Sequence, residues 1–360
     1  MGVTIRDVAK LAGASVASVS ATLNGTKSGS IRVGDSTRQR IQQAAAQLGY
    51  VSNPIAKSLA TGKTGVVGLM LPYADAFYGH DPFSMAVMRG VMRGAVETHR
   101  NVMLYSASEG MSESRIAMMI DTKVDGIVLV MPNEGGSVIT KLDHRKIPYV
   151  SVLRTPAPGA WVVNSNDYEG GKLAAAHLLG LGHKRLLHLK GDEKVMTTIP
   201  RCQGFLDAVK EAGAAAEVVD AGFDWKGGRA AGIDLFKGAR SARPTAVFCA
   251  NDFSAQGFLM ACDELGVRAP DDIAVVGYDD THFAETMRPR LTSVHMGVEE
   301  MGILALETLT HCIEQPAAEP QQHVLPVRLT IRESCGASAA RLPKPASPLV
   351  QTIHRGNHQP

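Results

Sequence analysis

Beyond Gly65 the chain repeats one pattern, in which short and nearly continuous apolar runs alternate with stretches that are compatible with helices. The runs are Val66–Leu71, Val102–Tyr105, Gly126–Met131, Tyr149–Leu153, Arg185–Leu189, Ala246–Ala250 and Ile273–Gly277. Strands that are apolar on both faces are typical of parallel sheets covered by helices on either side. Because about 270 residues of this pattern are too many for one sheet, it predicts two α/β lobes.

The start of the chain follows a different pattern, that of two short helices separated by Gly13-Ala14-Ser15. Thr4 and Asp7 have the spacing of a capping box, and Ser15 is a good N-cap for the second helix. Apolar residues recur at helical spacing in both segments: Ile5, Val8, Leu11 and Ala12, then Val16, Val19 and Leu23. Helices of about eight residues are marginal alone, so these two need a partner.

A third helix supplies that partner. Ser36 is a candidate N-cap, Ile41, Ala45 and Leu48 share a face, and Gly49 lies just beyond. Two helices across a tight turn that contains glycine make a helix-turn-helix. A helical hairpin within an ordinary core would produce the same apolar spacing, so spacing alone leaves both readings open.

Charge is unevenly distributed along the chain. Residues 1–65 hold eight Lys or Arg against two Asp, a net charge of +6, whereas the remainder holds 29 against 33 Asp or Glu, a net charge of −4. A small basic head on a mildly acidic body is typical of a nucleic-acid-binding module joined to another domain. A solvated basic face would give the same counts.

Several protein classes are disfavoured by what the sequence lacks. The N-terminus has no apolar signal segment and no run approaches the ~20 apolar residues of a membrane span, which predicts a cytoplasmic protein. The five cysteines are widely spaced without a CxxC pair, as expected of free thiols in a reducing compartment.

No catalytic or metal-binding pattern stands out. The spacings of His177, His183 and His188 fit no single helical face. Gly62-Lys63-Thr64 lacks the earlier glycine of a phosphate loop, and neither GxSxG nor HExxH occurs. We therefore expect no metal, no cofactor and no enzymatic activity.

Segments along nearly the whole chain resemble the lac-repressor (LacI/GalR) family of bacterial transcription regulators. In the head these are TIRDVAKLAG, SVASVSATLNG and STRQRIQQAAAQLGYVSNPIAKSLATGKT; in the body they are Asn166 with Glu169-Gly170-Gly171, and residues 177–191, 201–205, 244–257, 269–280, 290–296 and 331–335. Each body segment is weak alone, but their order and spacing are specific.

The resemblance implies an α/β protein with a three-helix helix-turn-helix head and a hinge helix, joined to a two-lobed body like that of periplasmic binding proteins. The expected domains are the head at 1–52, the hinge helix and linker at 53–64, and the effector-binding and dimerisation domain at 65–336. Residues 337–360 carry four prolines and few large apolar side chains, which predicts a disordered tail.

The second helix of a helix-turn-helix lies in the major groove, with its first residues at the base edges. Here those residues are Val16, Ala17 and, one turn later, Ala21. Side chains positioned to bind phosphates are Thr4, Ser15, Ser18, Ser20 and Asn24. The family often has polar residues where this chain has Val16, Ala17 and Ala21. Valine and alanine contact thymine methyl groups but cannot form bidentate hydrogen bonds, so base readout is weak or depends on DNA shape.

By the same resemblance, Pro54–Ala60 is a hinge helix that folds on operator DNA and lies in the minor groove. Leu59 matches the leucine that wedges between base steps and bends the duplex. Asn53, which caps this segment, and Lys57 belong to the same predicted DNA-binding set. A plain interdomain linker is the alternative.

Ligands of parallel α/β sheets bind outside the carboxyl ends of the strands. The resemblance implies that Arg201 and Asp252 bind hydroxyl groups or polar ring edges, while Phe83 and Phe223 stack on a ring. Asn166 and Asp279 are further candidates. The alternatives are that the phenylalanines belong to the core and that Arg201 and Asp252 form a structural ion pair. Ser165 stands where the family usually has an acid, which puts that ligand contact in doubt.

The sequence therefore predicts a homodimeric DNA-binding repressor whose affinity for operator DNA is controlled by a small-molecule effector, a sugar or sugar derivative. A solute-binding protein of the same body fold is disfavoured by residues 1–62 and by the missing signal segment. A sugar- or nucleoside-metabolising enzyme is disfavoured by the missing catalytic residues.

Overall fold

The computed structural model describes residues 2–24, 32–51, 57–58, 61–71, 81–106, 123–132, 137–153, 159–239, 243–337 and 351–353. Asn53, Leu59 and most of the predicted hinge helix lie outside the described residues. Lys57 and Ser58 are described and are helical, and the Thr61 hydroxyl donates to the Lys57 carbonyl at 2.9 Å.

The head consists of the three predicted helices: α1 (Ile5–Ala12), α2 (Val16–Asn24) and α3 (Asp35–Leu48). At the start of α1, the Asp7 carboxylate accepts from the Thr4 backbone N–H at 2.9 Å and from its hydroxyl at 2.7 Å. Gly13 ends α1 in the left-handed conformation at φ 57°. The Ser15 hydroxyl then caps α2 by accepting from the Ser18 N–H at 3.1 Å. These capping predictions are confirmed.

The predicted N-cap of α3 is wrong. The helix begins at Asp35 with Gly34 as its N-cap, and the Arg38 N–H donates to the Gly34 carbonyl at 2.9 Å. Ser36 lies inside the first turn because Gly34 takes the extended conformation that a cap requires, at φ −64° and ψ 154°. The other end agrees with the prediction, since Gly49 follows at φ 63°.

The core of the head is small and built from all three helices. Val8, Val19 and Ile41 are fully buried and meet alanines of α1 and α3. Leu11 and Val16, which share the apolar spacing of these helices, instead remain 47% and 44% exposed. The exposed Val16 leaves the beginning of α2 available for a partner.

The described strands of the body are β1 (Val66–Leu71), β2 (Asn101–Ser106), β3 (Gly126–Val130), β4 (Tyr149–Val152), β5 (Val162–Ser165), β6 (Arg185–Lys190), β7 (Ala215–Asp220), β8 (Ala246–Cys249), β9 (Ala274–Asp279), β10 (Thr292–His295), β11 (Gln322–Leu325), β12 (Arg328–Thr330) and β13 (Gln351–Ile353). The described helices are α4 (Pro82–Glu97), α5 (Ser137–Arg145), α6 (Asp167–Gly180), α7 (Thr198–Glu211), α8 (Trp225–Lys237), α9 (Asp252–Glu264), α10 (His282–Thr286) and α11 (Val298–Glu314).

These elements form the two predicted α/β lobes. The N-terminal lobe has a seven-stranded sheet in the order β2-β1-β3-β4-β5-β11-β13, and the C-terminal lobe has a six-stranded sheet in the order β7-β6-β8-β9-β10-β12. Pairing is parallel except for the edge strands β13 and β12, which run antiparallel to β11 and β10. All seven predicted strands are present.

The prediction of a wholly disordered tail is wrong for residues 351–353, which form β13. The edge of β11 offers unpaired backbone groups that a polar segment can satisfy without burying large side chains. No helix in the described part of the chain is both long and apolar enough to span a membrane.

The chain crosses between the lobes three times. It passes from β5 to α6, from β10 to α11 and from β11 to β12. Because β11 pairs with β5 in one sheet and β12 pairs with β10 in the other, the three crossings lie side by side. This arrangement forms a hinge and makes the carboxyl ends of the parallel strands border a cleft.

Candidate DNA-binding surface and interlobe cleft

The exposed surface of the head is centred on the first turn of α2. Ser15, Val16 and Ala17 are exposed, and Ser18, Ser20 and Ala21 are partly exposed on the same helix or its cap. Thr4 is exposed at the start of α1. The Ser15 and Ser18 hydroxyl oxygens lie 2.9 Å apart. The structure thus brings together a short apolar and hydroxylated surface at the beginning of α2.

Asn24 does not belong to this surface, although we predicted it to bind phosphate. Its side chain is only 5% exposed, and its Nδ2 donates to the Ser20 hydroxyl one turn earlier at 3.3 Å. Within the described residues, Asn24 Oδ1 has no hydrogen-bond partner. Asn24 is the buried residue at the end of α2, so its side chain does not face the exposed surface.

The head carries several exposed basic side chains. Exposed cations of the described head are Arg6, Lys10, Arg32, Arg38 and Arg40. Arg38 lies 3.8 Å from Asp35, a solvent-exposed ion pair that leaves the cation accessible. Accessible cations around a narrow protruding helix suit the phosphates on either side of a DNA groove.

At the interlobe cleft, Phe83 lies in the first turn of α4. The N-cap Asp81 accepts from the backbone N–H groups of Phe83 and Ser84 at 3.1 and 3.2 Å. The Phe83 side chain is 7% exposed and belongs to the main hydrophobic core. In this conformation Phe83 is a core residue, the alternative that the sequence left open.

Arg201 is buried in the first turns of α7, with 3% of its surface exposed. Its Nε and Nη2 donate to Asp167 Oδ1 at 3.2 and 2.6 Å, and its Nη1 donates to the Ala250 carbonyl. The guanidinium carbon lies 3.5 Å from the centroid of the Tyr278 ring. Burial alone would lower the pKa of Arg201, but the attraction of Asp167 raises it overall.

The ion pair that we considered between Arg201 and Asp252 is therefore wrong, because Asp167 is the partner of Arg201. Two glycines make this pairing possible. A Cβ atom on Gly171 of α6 would lie 2.0 Å from the Arg201 carbonyl oxygen, and one on Gly204 of α7 would lie 1.9 Å from the Tyr168 carbonyl oxygen. The two helices pack backbone to backbone, so their first turns bring the carboxylate to the guanidinium.

Asp252 begins α9 and is 1% exposed. Its Oδ2 accepts from the Thr281 N–H at 2.7 Å and from the Thr281 hydroxyl at 3.0 Å, and its Oδ1 accepts from the Ser293 hydroxyl at 2.5 Å. Burial raises the pKa of Asp252 to about 7 despite these hydrogen bonds. Asp252 thus connects α9 to the segments after β9 and within β10.

Asp279 ends β9 at a φ of 98° and is 6% exposed. No hydrogen bond joins its carboxylate to another described residue. Burial raises the pKa of Asp279 well above its usual range, and the nearby Asp252 adds to the rise. A buried carboxyl group with a strongly raised pKa at the end of a strand is a property expected of a group that contacts a ligand.

The two remaining candidates lie at opposite sides of the C-terminal lobe's strand ends. Asn166 is exposed and caps α6, where its side chain accepts from the Glu169 N–H at 3.2 Å. Phe223 is partly exposed, and its ring covers Gly191, whose added Cβ would lie 2.1 Å from the Phe223 Cζ. Of the two candidate phenylalanines, Phe223 is therefore the one that stays partly exposed.

Sequence reasoning missed two residues of this site, Asp167 and Tyr278. Tyr278 is fully buried beneath the guanidinium and gave no signal separable from an ordinary strand residue. Asp167 did give a signal, because it lies two residues after Ser165, where an acid was expected. The Ser165 hydroxyl donates to Asp167 Oδ2 at 3.3 Å, so the displaced carboxylate occupies the same neighbourhood.

The three histidines of the metal alternative are held by separate partners. His177 Nε2 lies 3.2 Å from Cys335 Sγ, His183 Nδ1 lies 2.9 Å from the Thr245 hydroxyl, and His188 Nδ1 lies 3.0 Å from the Phe248 carbonyl. Burial lowers the pKa of His188 to about 4. Within the described ranges, no cluster of three or more His, Cys, Asp or Glu is arranged to hold a metal.

A polar cavity of about 780 Å³ adjoins the hinge. Helices α4 and α11 line it from one lobe, and α10 and the ends of β9, β10 and β12 line it from the other. Its charged groups are largely engaged with one another, as in the contacts of Glu299 with Arg93 at 2.7 Å and of Asp280 with Arg332 at 2.7 Å.

Comparison with known proteins agrees with this division into head and body. Residues 4–53 match the bacterial regulatory proteins of the lacI family, and residues 175–335 match a periplasmic binding protein-like domain. The HTH-type transcriptional repressor PurR of Erwinia tasmaniensis is 32% identical over 326 residues, which are 88% of this chain and 92% of that protein. This chain belongs to the LacI family of bacterial transcription regulators. The PurR repressor of Yersinia enterocolitica is 31% identical over 339 residues, or 92% of this chain and 96% of that protein.

Solved structures of LacI-family proteins share the fold. A complex of the transcriptional regulator CelR with cellobiose has a TM-score of 0.69 at 29% identity and covers 92% of this chain and 99% of its own. The lac repressor dimer bound to operator and the anti-inducer ONPF has a TM-score of 0.77 at 23% identity, covering 94% of this chain and 100% of its own. The predicted fold class is confirmed, and this LacI-family protein is a DNA-binding transcriptional regulator.

Proposed function

We propose that this regulator is a homodimeric repressor that binds a pseudo-palindromic operator and is controlled by a small polar effector in the interlobe cleft. One observation carries this proposal: the same chain has a basic head with an exposed helix and a body whose two lobes are connected by three crossings of the chain. Related proteins whose names include the word repressor support the direction of regulation.

In this proposal α2 enters the major groove. Val16, Ala17 and Ala21 contact base edges, while Thr4, Ser15, Ser18 and Ser20 bind phosphates alongside the exposed arginines and lysines. Thr4 and Ser15 already cap helices, so they can orient the helix ends toward phosphate oxygens while keeping the caps in place. Because valine and alanine offer only apolar contacts, much of the specificity comes from DNA shape.

We assign residues 53–64 to a hinge that supplies the rest of that specificity. Asn53, Lys57 and Leu59 would act in the minor groove, with Leu59 as the apolar wedge. Support comes from the match to the lacI family model, which ends at residue 53, and from a structural neighbour that is a dimer on operator DNA.

The effector, in this proposal, lies between Phe223 and the polar groups Arg201, Asp252, Asp279 and Asn166. Neighbouring structures contain cellobiose or ribose, which supports a sugar or sugar derivative. A ligand that binds the closed and open arrangements of the lobes with different affinities shifts the equilibrium between them. It can change the free energy of operator binding by no more than the difference between its two binding free energies.

Dimerisation fits the distribution of exposed apolar side chains. The outer side of α4 carries Met85, Met92 and Val96, which are 37%, 49% and 74% exposed. The C-terminal lobe carries Met260 on α9 and Phe283 on α10, which are 40% and 43% exposed. Exposed apolar side chains in both lobes suit a partner copy that contacts the whole body.

Enzymatic activity is not part of this proposal, since the family is one of transcription regulators. We assign the protein to the cytoplasm, where its DNA is found.

The test is selection of fragmented genomic DNA on the purified full-length protein, followed by sequencing. A pseudo-palindromic site should be enriched, and enrichment should change when cellobiose, ribose or another sugar is added. The matched control is a Val16→Glu variant, which places a negative charge at the exposed start of α2 without touching the head core. Equal enrichment by the variant and the wild type would contradict the role of α2.

A further inference from the structure

The charges around Arg201 differ from those of a site that attracts anions. Arg201 pairs with the buried carboxylate of Asp167 and lies near the buried carboxyl group of Asp279, which also borders the cavity lined by Arg89, Arg93, Arg328 and Arg332. Lys190, at the end of β6, is engaged with Glu193 at 2.5 Å and Asp220 at 2.9 Å. Most cations near these strand ends are therefore engaged by carboxylates, as Arg89 and Arg93 are by Glu299 and Arg332 is by Asp280.

The guanidinium itself is already neutralised. Asp167 Oδ1 receives two of its hydrogen bonds, the Ala250 carbonyl receives a third, and the Tyr278 ring covers one face. Both Arg201 and Asp167 have side chains only 4% exposed. An anionic group on a ligand would have to displace the Asp167 carboxylate, and that carboxylate would then remain buried without its partner.

Asp279 also disfavours an anionic ligand. It is 6% exposed, and burial raises its pKa well above the usual range, so the uncharged carboxyl group that it favours can both donate and accept a hydrogen bond. Asp81, the N-cap of α4 across the cleft, lies close enough to repel its charge. Hydroxyl groups can both donate to and accept from that carboxyl group, whereas a phosphate or carboxylate on a ligand would place negative charge beside a group that already resists ionisation.

We propose that Asp167 cancels the charge of Arg201 inside the cleft and thereby selects an uncharged, hydroxyl-rich effector over its phosphorylated or carboxylated counterpart. This inference rests on the proposed function, because it assumes that the cleft holds the effector. Asp167 acts through Arg201 and is a positioning residue for ligand selectivity. The acid that the family usually has at position 165 is replaced in this chain by Ser165 and Asp167 together.

The first experiment is calorimetric titration of the full-length protein with matched pairs of sugars: glucose with glucose 6-phosphate, ribose with ribose 5-phosphate, and cellobiose with cellobionate. We expect at least one neutral sugar to bind and its anionic counterpart to bind at least about tenfold more weakly. Tighter binding of any anionic member, or no binding of any neutral sugar, would overturn the proposal.

The second experiment repeats the titration with Asp167→Asn, which keeps an oxygen acceptor for Arg201 but removes the charge. The ratio of neutral to anionic affinity should fall by about tenfold, since the guanidinium regains its net charge. Asp263→Asn, an exposed position on α9, is the matched control and should keep the wild-type ratio. An unchanged ratio in Asp167→Asn refutes the role of Asp167.

A third variant covers the case in which Asp167→Asn does not fold, as judged by circular dichroism. Ser165→Asp combined with Asp167→Ala moves the carboxylate to the position where the family usually has it, and should retain the preference for the neutral sugar. Loss of the preference in this folded double variant counts against the proposal. Calorimetry involves no DNA, so this inference can fail while operator binding stands, and operator binding can fail while the ligand preference stands.

Discussion

His295 Nδ1 lies 3.1 Å from Oδ2 of Asp280, at the point where β10 leaves the C-terminal lobe. The other ring nitrogen of His295 lies 3.5 Å from Glu300 Oε1 on α11, in the N-terminal lobe. Asp280 also accepts from the Thr330 hydroxyl at 2.7 Å beside β12. The His295 imidazole therefore contacts carboxylates on both sides of the crossing from β10 to α11. Through its hydrogen bond with Thr330 of β12, Asp280 connects this contact to the crossing from β11 to β12.

This arrangement makes the stability of the hinge depend on pH. Burial by itself lowers the pKa of His295, but its hydrogen bonds to Asp280 and Glu300 raise it overall. A raised folded-state pKa contributes stability that is fully present below the unfolded value of about 6.5 and is lost as pH rises through the folded value. Unfolding by urea should therefore become easier across that range, by on the order of half a kcal/mol for a partly exposed pair.

The effect should vanish in His295→Gln and persist in His282→Gln, since His282 is exposed on α10. The unfolding measurements should stay above the acid range. The pKa values of Asp280 and Glu300 are lowered by their partners, so the protein loses the stability that these carboxylates contribute as pH falls. The same pH slope in His295→Gln as in the wild type would show that another group is responsible.

The close approach of α6 and α7 predicts the effect of Gly171→Ala. The new Cβ would lie 2.0 Å from the Arg201 carbonyl oxygen, and a backbone atom cannot move aside as a flexible side chain can. We expect a loss of about 2 kcal/mol or more in the free energy of unfolding, together with a weaker effector response as Arg201 moves away from Asp167. Denaturant titration and calorimetry measure the two effects.

The matched control for that prediction is Gly180→Ala at the end of the same helix. Nothing lies within 4 Å of a Cβ atom at Gly180, so alanine there should be neutral or slightly stabilising. If both substitutions cost the same, the close helix contact is not what positions Arg201.

The cap of α2 predicts a local loss of stability in Ser15→Ala. The Ser15 hydroxyl accepts from the Ser18 N–H at 3.1 Å, and an alanine in its place leaves that donor without the bond, at a cost of about 1 kcal/mol. Hydrogen exchange of the α2 amides in the full-length protein should become faster. Ser36→Ala is the control, because Ser36 lies inside α3 and Gly34 is the cap there. Faster exchange of α2 in Ser36→Ala, or none in Ser15→Ala, would contradict the assignment.

Local signals predicted the elements of this fold better than they predicted the site. Capping residues and apolar runs act over a few neighbours, so Thr4, Ser15 and the strands from Val66 onward were found from the sequence. The strands β10 and β11 were missed because they are short and partly polar: Thr292–His295 and Gln322–Leu325. Their side chains are buried by tertiary contacts that no local pattern encodes.

The site depended on contacts between distant residues. Arg201 was found as a candidate, but the ion pair considered as an alternative named Asp252, and the true partner Asp167 depends on the approach of α6 to α7 at Gly171 and Gly204. Asn24 was assigned to the DNA surface because its residue type suits phosphate, whereas the packing of α2 buries it. In both cases the sequence showed the type of side chain but not its three-dimensional environment.

The predicted hinge helix and linker at residues 53–64 lead to the final prediction. Leu59 lies outside the described residues, and its role as a wedge comes from the resemblance of residues 53–64 to LacI-family hinges. Leu59→Ala should weaken binding to the selected operator by far more than binding to scrambled DNA of equal length, because only the specific complex gains from a bend. Gel-shift titrations at one fixed salt concentration measure both affinities. Leu104→Ala, on the surface of β2 and 42% exposed, should change neither. An equal loss on both DNAs would show that residue 59 serves general contact with DNA, and the wedge would then have to be abandoned.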